Sequence, residues 1–199
     1  SGMCCGISQN SYKTLKSMKL IFADGAKLDT GCQESKDAFR KTHGDFLKEL
    51  KSFSDDTKNN EELRAKIERK FKIKNTCGYS LNALIDFEDE FEILEHLIIG
   101  SEGTLAFIEE ITYYTVEDLK DKASSLIYFK DIKEACSAVT KLKLAKEANT
   151  INVEAVELMD RAGLASIEND PAMPAFIKDF DEDVTALLIE TRAISDAQL

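Results

Sequence analysis

The stretch LIIGSEGTLAFIEEITYYT, residues 97–115, constrains the fold of this chain more than any other. An apolar run stops at Gly100-Ser101-Glu102-Gly103, and a strand-like segment starts directly behind it. Two glycines at this spacing permit a tight turn whose backbone N–H groups stand clear of any Cβ. Such a turn suits the close approach of a large planar or phosphorylated ligand. A glycine pair between two elements is most often an ordinary loop, so its surroundings carry the weight.

With 199 residues the chain can hold one large domain or two small ones, with a substantial core. Hydrophobic residues at 43% and charged residues at 32% are the composition of a folded protein, not a disordered one. A net charge of −11 argues against nucleic acid, because phosphate binding needs clustered Lys and Arg. No apolar run approaches the roughly 18 residues that a membrane span requires. The five cysteines, Cys4, Cys5, Cys32, Cys77 and Cys136, have no CxxC spacing and read as reduced thiols in a cytoplasmic setting. The two histidines, His43 and His96, lack the partners of a metal site.

Residues 14–31 read as a β-hairpin turning at Asp24-Gly25. From Ser35, a plausible N-cap, Phe39, Phe46, Leu47, Leu50 and Phe53 fall at helical spacing, with His43 as a packing residue on that face. The polar stretch SDDTKNN separates this helix from a second one over 60–71. Residues 64–74 hold six basic side chains against one acid, a local reversal that could attract an anion but reads first as a solvated face. A third helix is expected over 88–99, with His96 near its C-terminal carbonyls. A strand follows over 105–116, with Tyr113 and Tyr114 on opposite faces.

Beyond the charged connector 117–122 the pattern predicts strand 124–129, helix 131–147, strand 151–156, helix 157–167 and strand 184–190. Asp131 with Glu134 has the spacing of a capping box, and Ile132, Ala135, Cys136, Val139 and Leu142 form the helix's apolar stripe. Residues 168–190 hold seven acids against one base. The order βαβ-αβ marks the start of a second α+β domain.

Three segments together resemble one family: SGMCCGISQNSYKTL at 1–15, KFKIKNTCGYSLNAL at 70–84 and EHLIIGSEGTLAFIEEIT at 95–112. The chain looks like the flavin-binding part of the vanillyl-alcohol-oxidase (PCMH-type) family, close to FAD-linked D-lactate dehydrogenase-like proteins with a C-terminal iron–sulphur domain. The resemblance covers about residues 1–190. It implies an α+β fold: over 1–120 the second subdomain of a PCMH-type FAD-binding domain, a mostly antiparallel sheet with flanking helices. Over 121–199 it implies the beginning of a ferredoxin-like substrate-capping domain.

In that family FAD lies between two subdomains, the first carrying a glycine-rich pyrophosphate loop that has no counterpart in this sequence. The resemblance thus implies an internal fragment of a longer protein, in keeping with an opening Ser-Gly-Met and a closing AISDAQL. By similarity Ser1, Gly2 and Gly6 run along the flavin. Gly100, Glu102, Gly103, Thr104, Leu105, Ala106, Phe107 and Ile108 meet the cofactor largely through main-chain groups. Ala106 departs from the family, which usually has glycine there, and its methyl would narrow access if the backbone needed φ > 0. Catalytic residues, metal ligands and iron–sulphur cysteines are expected outside this chain.

The implied activity is oxidation of D-lactate or a similar D-2-hydroxy acid by hydride transfer to FAD, with electrons passing to an acceptor. The implied location is the cytoplasm or the inner face of the membrane. The alternative is a non-catalytic α+β module that binds partners or small acids through the 64–74 patch.

Overall fold

A computed structural model of the chain describes residues 9–75, 78–171 and 173–193. They group into two α+β units, one reaching to Val116 and the other starting at Glu117. Each unit is built on its own three-stranded antiparallel sheet.

The first unit opens with one helical turn, α1 (Ser11–Thr14), then β1 (Leu15–Ile21) and β2 (Lys27–Asp29). The hairpin turns where the sequence indicates. Gly25 takes φ +84°, and the Asp24 carboxylate accepts the Ala26 N–H at 2.9 Å. β1 is the central strand, with β2 on one side and β3 (Phe107–Tyr113) on the other. Its register against β3 shifts between Leu15 and Ser17. That irregularity turns Leu15 inward together with Met18 and Leu20, which strict alternation would not allow.

Two helices cover the inner face of this sheet, α2 (Gln33–Asn59) and α5 (Glu90–Ile98). Phe39 and Leu47 from α2 meet Phe91, Leu94 and Ile98 from α5 over Met18, Leu20 and Leu28. Charge fastens the helices at their rim. Arg40 bonds Glu90 at 2.9 Å and lies 4.7 Å above the Phe91 ring. Lys51 and Lys58 both reach Glu88, at 2.8 and 2.6 Å, and hold its carboxyl at a pKa of about 2.

α2 departs from expectation at both ends. It begins at Gln33, not at Ser35, whose hydroxyl instead accepts the Asp29 N–H at 2.9 Å. It also continues through SDDTKN to Asn59, because Ser54 and Thr57 are buried with their hydroxyls satisfied. Ser54 donates to the Leu84 carbonyl at 2.6 Å and Thr57 to the Phe53 carbonyl at 2.7 Å. Polar residues with such partners cost the interior little. His43 marks a kink, with non-helical φ/ψ of −125° and 27°. Its ring stacks on Phe39 at 4.3 Å and its Nε2 meets the Asp24 carboxylate at 3.0 Å.

α3 (Glu61–Phe71) starts where Asn60 accepts the Leu63 N–H, and Ile67 is its one buried residue. The short α4 (Ala83–Asp86) precedes α5, which Asp89 caps through the Phe91 and Glu92 N–H groups. β3 is shorter than the expected 105–116 strand and is exposed along most of its length.

The second unit runs β4 (Asp121–Phe129), α6 (Ile132–Glu147), β5 (Ala155–Met159), α7 (Arg161–Ile167), a 3₁₀ turn over Ala175–Asp179, and β6 (Thr185–Ala193). β6 sits between β4 and β5 and is antiparallel to both, so β4 and β5 are parallel to one another. This is a split βαβ unit. β5 and α7 lie a few residues later than their spacing predicts, because Asp160 caps α7 through the Gly163 N–H and leaves 157–159 to the strand. Ala186 packs on Leu164, Ile177 and Val184 on one face of this sheet. On α6 only Ala135 of the expected stripe is fully buried, while Ile132 and Cys136 are exposed. Among the described residues no helix is long and apolar enough to cross a membrane.

Candidate functional site

The three segments that carry the family resemblance converge on one cleft of about 380 Å³ in the first unit. Asn10, Ser11 and Tyr12 line it from the first segment. Lys74, Asn75, Gly78 and Ser80 line it from the second, and Ile99, Gly100 and Glu102 from the third. Ile108, Ile111 and Tyr113 of β3 form its floor. A side chamber of about 60 Å³ shares Tyr12, Lys74 and Ser80 and adds Lys13 and Asn82.

Glycine backbone shapes the mouth. Gly78, Gly100 and Gly103 take φ of +73°, +83° and +79°, and Glu102 joins them at +53°. A Cβ on Gly100 would stand 3.7 Å from the Gly78 carbonyl oxygen, so the two loops pass with main chain against main chain. Hydrogen bonds lock them. Ser80 donates to the Ile99 carbonyl at 2.8 Å, and Thr104 donates to the Ser101 carbonyl at 2.6 Å. The Thr104 proton is thereby committed, so the Tyr79 hydroxyl, 3.0 Å away, donates to Thr104.

The inner wall hangs on Asp86. Its Oδ2 accepts from the Tyr12 hydroxyl at 2.9 Å and from the Asn82 amide at 3.0 Å, with the Lys13 ammonium 3.8 Å away. Burial, reinforced by the Asp86 charge, pushes the Tyr12 hydroxyl far above its ordinary pKa, so it stays a donor. The Asn82 Oδ1 is buried without a hydrogen-bond partner. The Tyr12 ring meets His96 edge-on at 4.8 Å, and His96 stacks on Phe87 at 4.0 Å. His96 donates Nδ1–H to the Glu92 carbonyl at 2.8 Å, the C-terminal role its position suggests.

Two buried titratable groups behind this wall tilt stability in opposite directions. Burial lowers the His96 pKa below its ordinary 6.5, so the unfolded chain binds more protons there and stability falls as pH drops from 6.5 toward the folded value. Burial raises Glu95 above its ordinary 4.5, so its contribution is fully present below 4.5 and is lost as pH rises through the folded value. We expect His96→Phe to remove the decline that sets in as pH falls below 6.5, and Glu95→Gln to remove the one that sets in as pH rises above 4.5. Urea unfolding across this range checks both, and wild-type slopes surviving in both variants would refute the assignment.

The expected cofactor contacts separate into three groups. Gly100, Glu102 and Ile108 line the cleft. Gly103 and Thr104 shape the turn beside it, while Leu105 packs on the core and Phe107 is 65% exposed at the start of β3. Ala106 points into the core at 5% exposure. It is not in the left-handed region, which among the described non-glycine residues holds Glu102 and Asn149, so its methyl leaves the cleft untouched. Ser1, Gly2 and Gly6, like Cys4, Cys5 and Cys77, lie outside the described residues. Sequence reasoning did not single out Asn10, Tyr12, Gly78, Ser80 or Ile111, although all five stand inside the quoted segments. Of the two tyrosines, Tyr113 lines the cleft, whereas Tyr114 follows the strand and gives its N–H to the Thr14 carbonyl.

Among the described residues no cluster of His, Cys, Asp and Glu could hold a metal ion. Comparison with known proteins gives no match, whether to family models, to curated proteins or to solved structures.

Proposed function

We propose that this chain is part of a flavin-dependent oxidoreductase that oxidises D-lactate or a similar D-2-hydroxy acid, with the first unit supplying one half of an FAD cleft. The observation that supports this reading is the convergence of residues from all three segments, Tyr12, Gly78, Ser80, Gly100 and Ile108 among them, on one concavity. The residues fit such a ligand. Gly78 and Gly103 have open space where a Cβ would stand, which leaves their main chain free for close approach. Ile108, Ile111 and Tyr113 offer an apolar, aromatic floor to a planar ring.

FAD, when bound, accepts the hydride. The chain's own contribution is to bind and orient: Tyr12 and Asp86 fix α1 beside the cleft, Ser80 ties the two glycine loops to each other, and Thr104 fixes the turn after Ser101. The second unit, on this reading, begins the substrate cap. Any iron–sulphur cluster, the catalytic groups and the electron acceptor's site belong to other parts of a longer cytoplasmic protein.

The expected result with the 199-residue chain is weak quenching of FAD fluorescence and no turnover of D-lactate. Gly100→Val, forced to carry a branched side chain at φ +83° beside Gly78, should weaken that quenching about tenfold. Gly44→Ala, where a Cβ meets open space, should leave it unchanged. A purified chain holding stoichiometric flavin would contradict the half-site reading. In the longer protein D-lactate should bleach the bound flavin, and no spectral change with any hydroxy acid would favour a second reading. That reading is a non-catalytic binding module, and the exposed basic surface of α3 favours it.

A further inference from the structure

We propose that the basic outer face of α3 docks the acidic run 179–183 of a second copy of this chain. α3 is an element with little to hold it, since Ile67 is its one buried residue. Lys66, Arg69 and Lys70 follow i, i+3, i+4 spacing and share one exposed face, with Lys72 just beyond the helix. Elsewhere in this unit several cations are paired, Lys19 with Glu110, Arg40 with Glu90, and Lys51 and Lys58 with Glu88, and the lysines outside an ion pair (Lys16, Lys27, Lys36 and Lys41) do not gather on one helix face beside an exposed apolar residue as those of α3 do. On α3 only Arg64 has a carboxylate, Glu68, and among the described residues Lys66, Arg69, Lys70 and Lys72 enter no ion pair.

The second unit holds the complement. Asp179, Asp181, Glu182 and Asp183 are all exposed, and among the described residues their carboxylates enter no ion pair either. Each patch has an exposed apolar side chain beside it, Ile73 at 66% on the basic side and Phe176 at 51% on the acidic side. An apolar contact bordered by opposed charges is the composition of a specific interface.

Two copies that each carry −11 repel at long range. At physiological ionic strength that repulsion is screened beyond about 8 Å, while directly apposed charges still attract. Because the two patches differ, the contact is heterologous. It closes at two copies only if one rotation satisfies both halves, and otherwise it extends to a ring or chain.

Sedimentation velocity of the 199-residue chain tests this. At about 0.1 M salt the mass should rise with protein concentration, and at about 1 M the chain should be monomeric. Reversing the basic face (Lys66→Glu, Arg69→Glu, Lys70→Glu) should weaken association at least about tenfold, as should reversing the acidic run (Asp181→Lys, Glu182→Lys, Asp183→Lys). Mixing the two reversed chains should restore association between them, because one then presents two acidic patches and the other two basic ones. A monomer at every concentration, or association indifferent to both reversals, overturns the proposal. So does failure of the mixed variants to associate while each remains folded by circular dichroism. Recruitment of a monomeric chain to anionic phospholipid vesicles through α3 also overturns it and assigns the face to a lipid surface.

Discussion

Replacing Phe91 with alanine is expected to destabilise the first unit by about 3–5 kcal/mol, the range for emptying a fully buried aromatic site. Phe91 has no solvent exposure and stands where every layer of this unit meets. Phe39 of α2 meets it edge-on at 6.4 Å, and the Arg40 guanidinium and Lys36 ammonium lie 4.7 and 5.4 Å from its ring. Truncation would open a cavity and remove the cation–π contacts together. The cavity cannot collapse cheaply, because α5 is tied by Arg40–Glu90 at one edge and by its own Asp89 cap at its start. Urea unfolding followed by circular dichroism measures the loss. Phe91→Leu should retain more than half of the stability difference, and a loss below about 1 kcal/mol in Phe91→Ala would refute this account of the core.

Asp86→Ala should cost about 2–3 kcal/mol, because it leaves two buried donors without an acceptor. The Tyr12 hydroxyl and the Asn82 amide share a single carboxylate oxygen, and Asn82 already carries one unsatisfied atom. Asp86→Asn keeps one acceptor oxygen and should cost less than half as much. The substitution also reads out at the cleft. Tyr12 lines it, and the Asp86 bond is what fixes α1 there. Flavin quenching should therefore fall more in Asp86→Ala than in a variant of equal stability made in the second unit, such as Leu164→Ala. Equal losses in the two would mean that Asp86 acts on stability alone.

Much of the layout was legible because local chemistry and tertiary packing agree. The Asp24-Gly25 turn, the Asn60 and Asp131 caps and the α5 stripe each follow from residue type at short range. Misreadings arose where a distant partner overrides the local pattern. SDDTKN reads as a break until Ser54 finds the Leu84 carbonyl, 30 positions away. Alternation in β1 fails at Leu15 because the register with β3 shifts there. Of the cleft, the glycine turn was visible from spacing alone. Tyr12 and Asp86 were not, since a hydrogen bond across 74 positions leaves no periodic trace.

Of the three strands of the second sheet, the one latest in sequence occupies its middle. β4 and β5 share no edge, so nothing in this sheet can pair until Thr185–Ala193 arrives and inserts between them. Until then two strands hold unsatisfied backbone in a nascent polypeptide, exposed to chaperones and to mispairing. A chain ended by a stop codon before Thr185 should thus lose the whole sheet rather than one third of it.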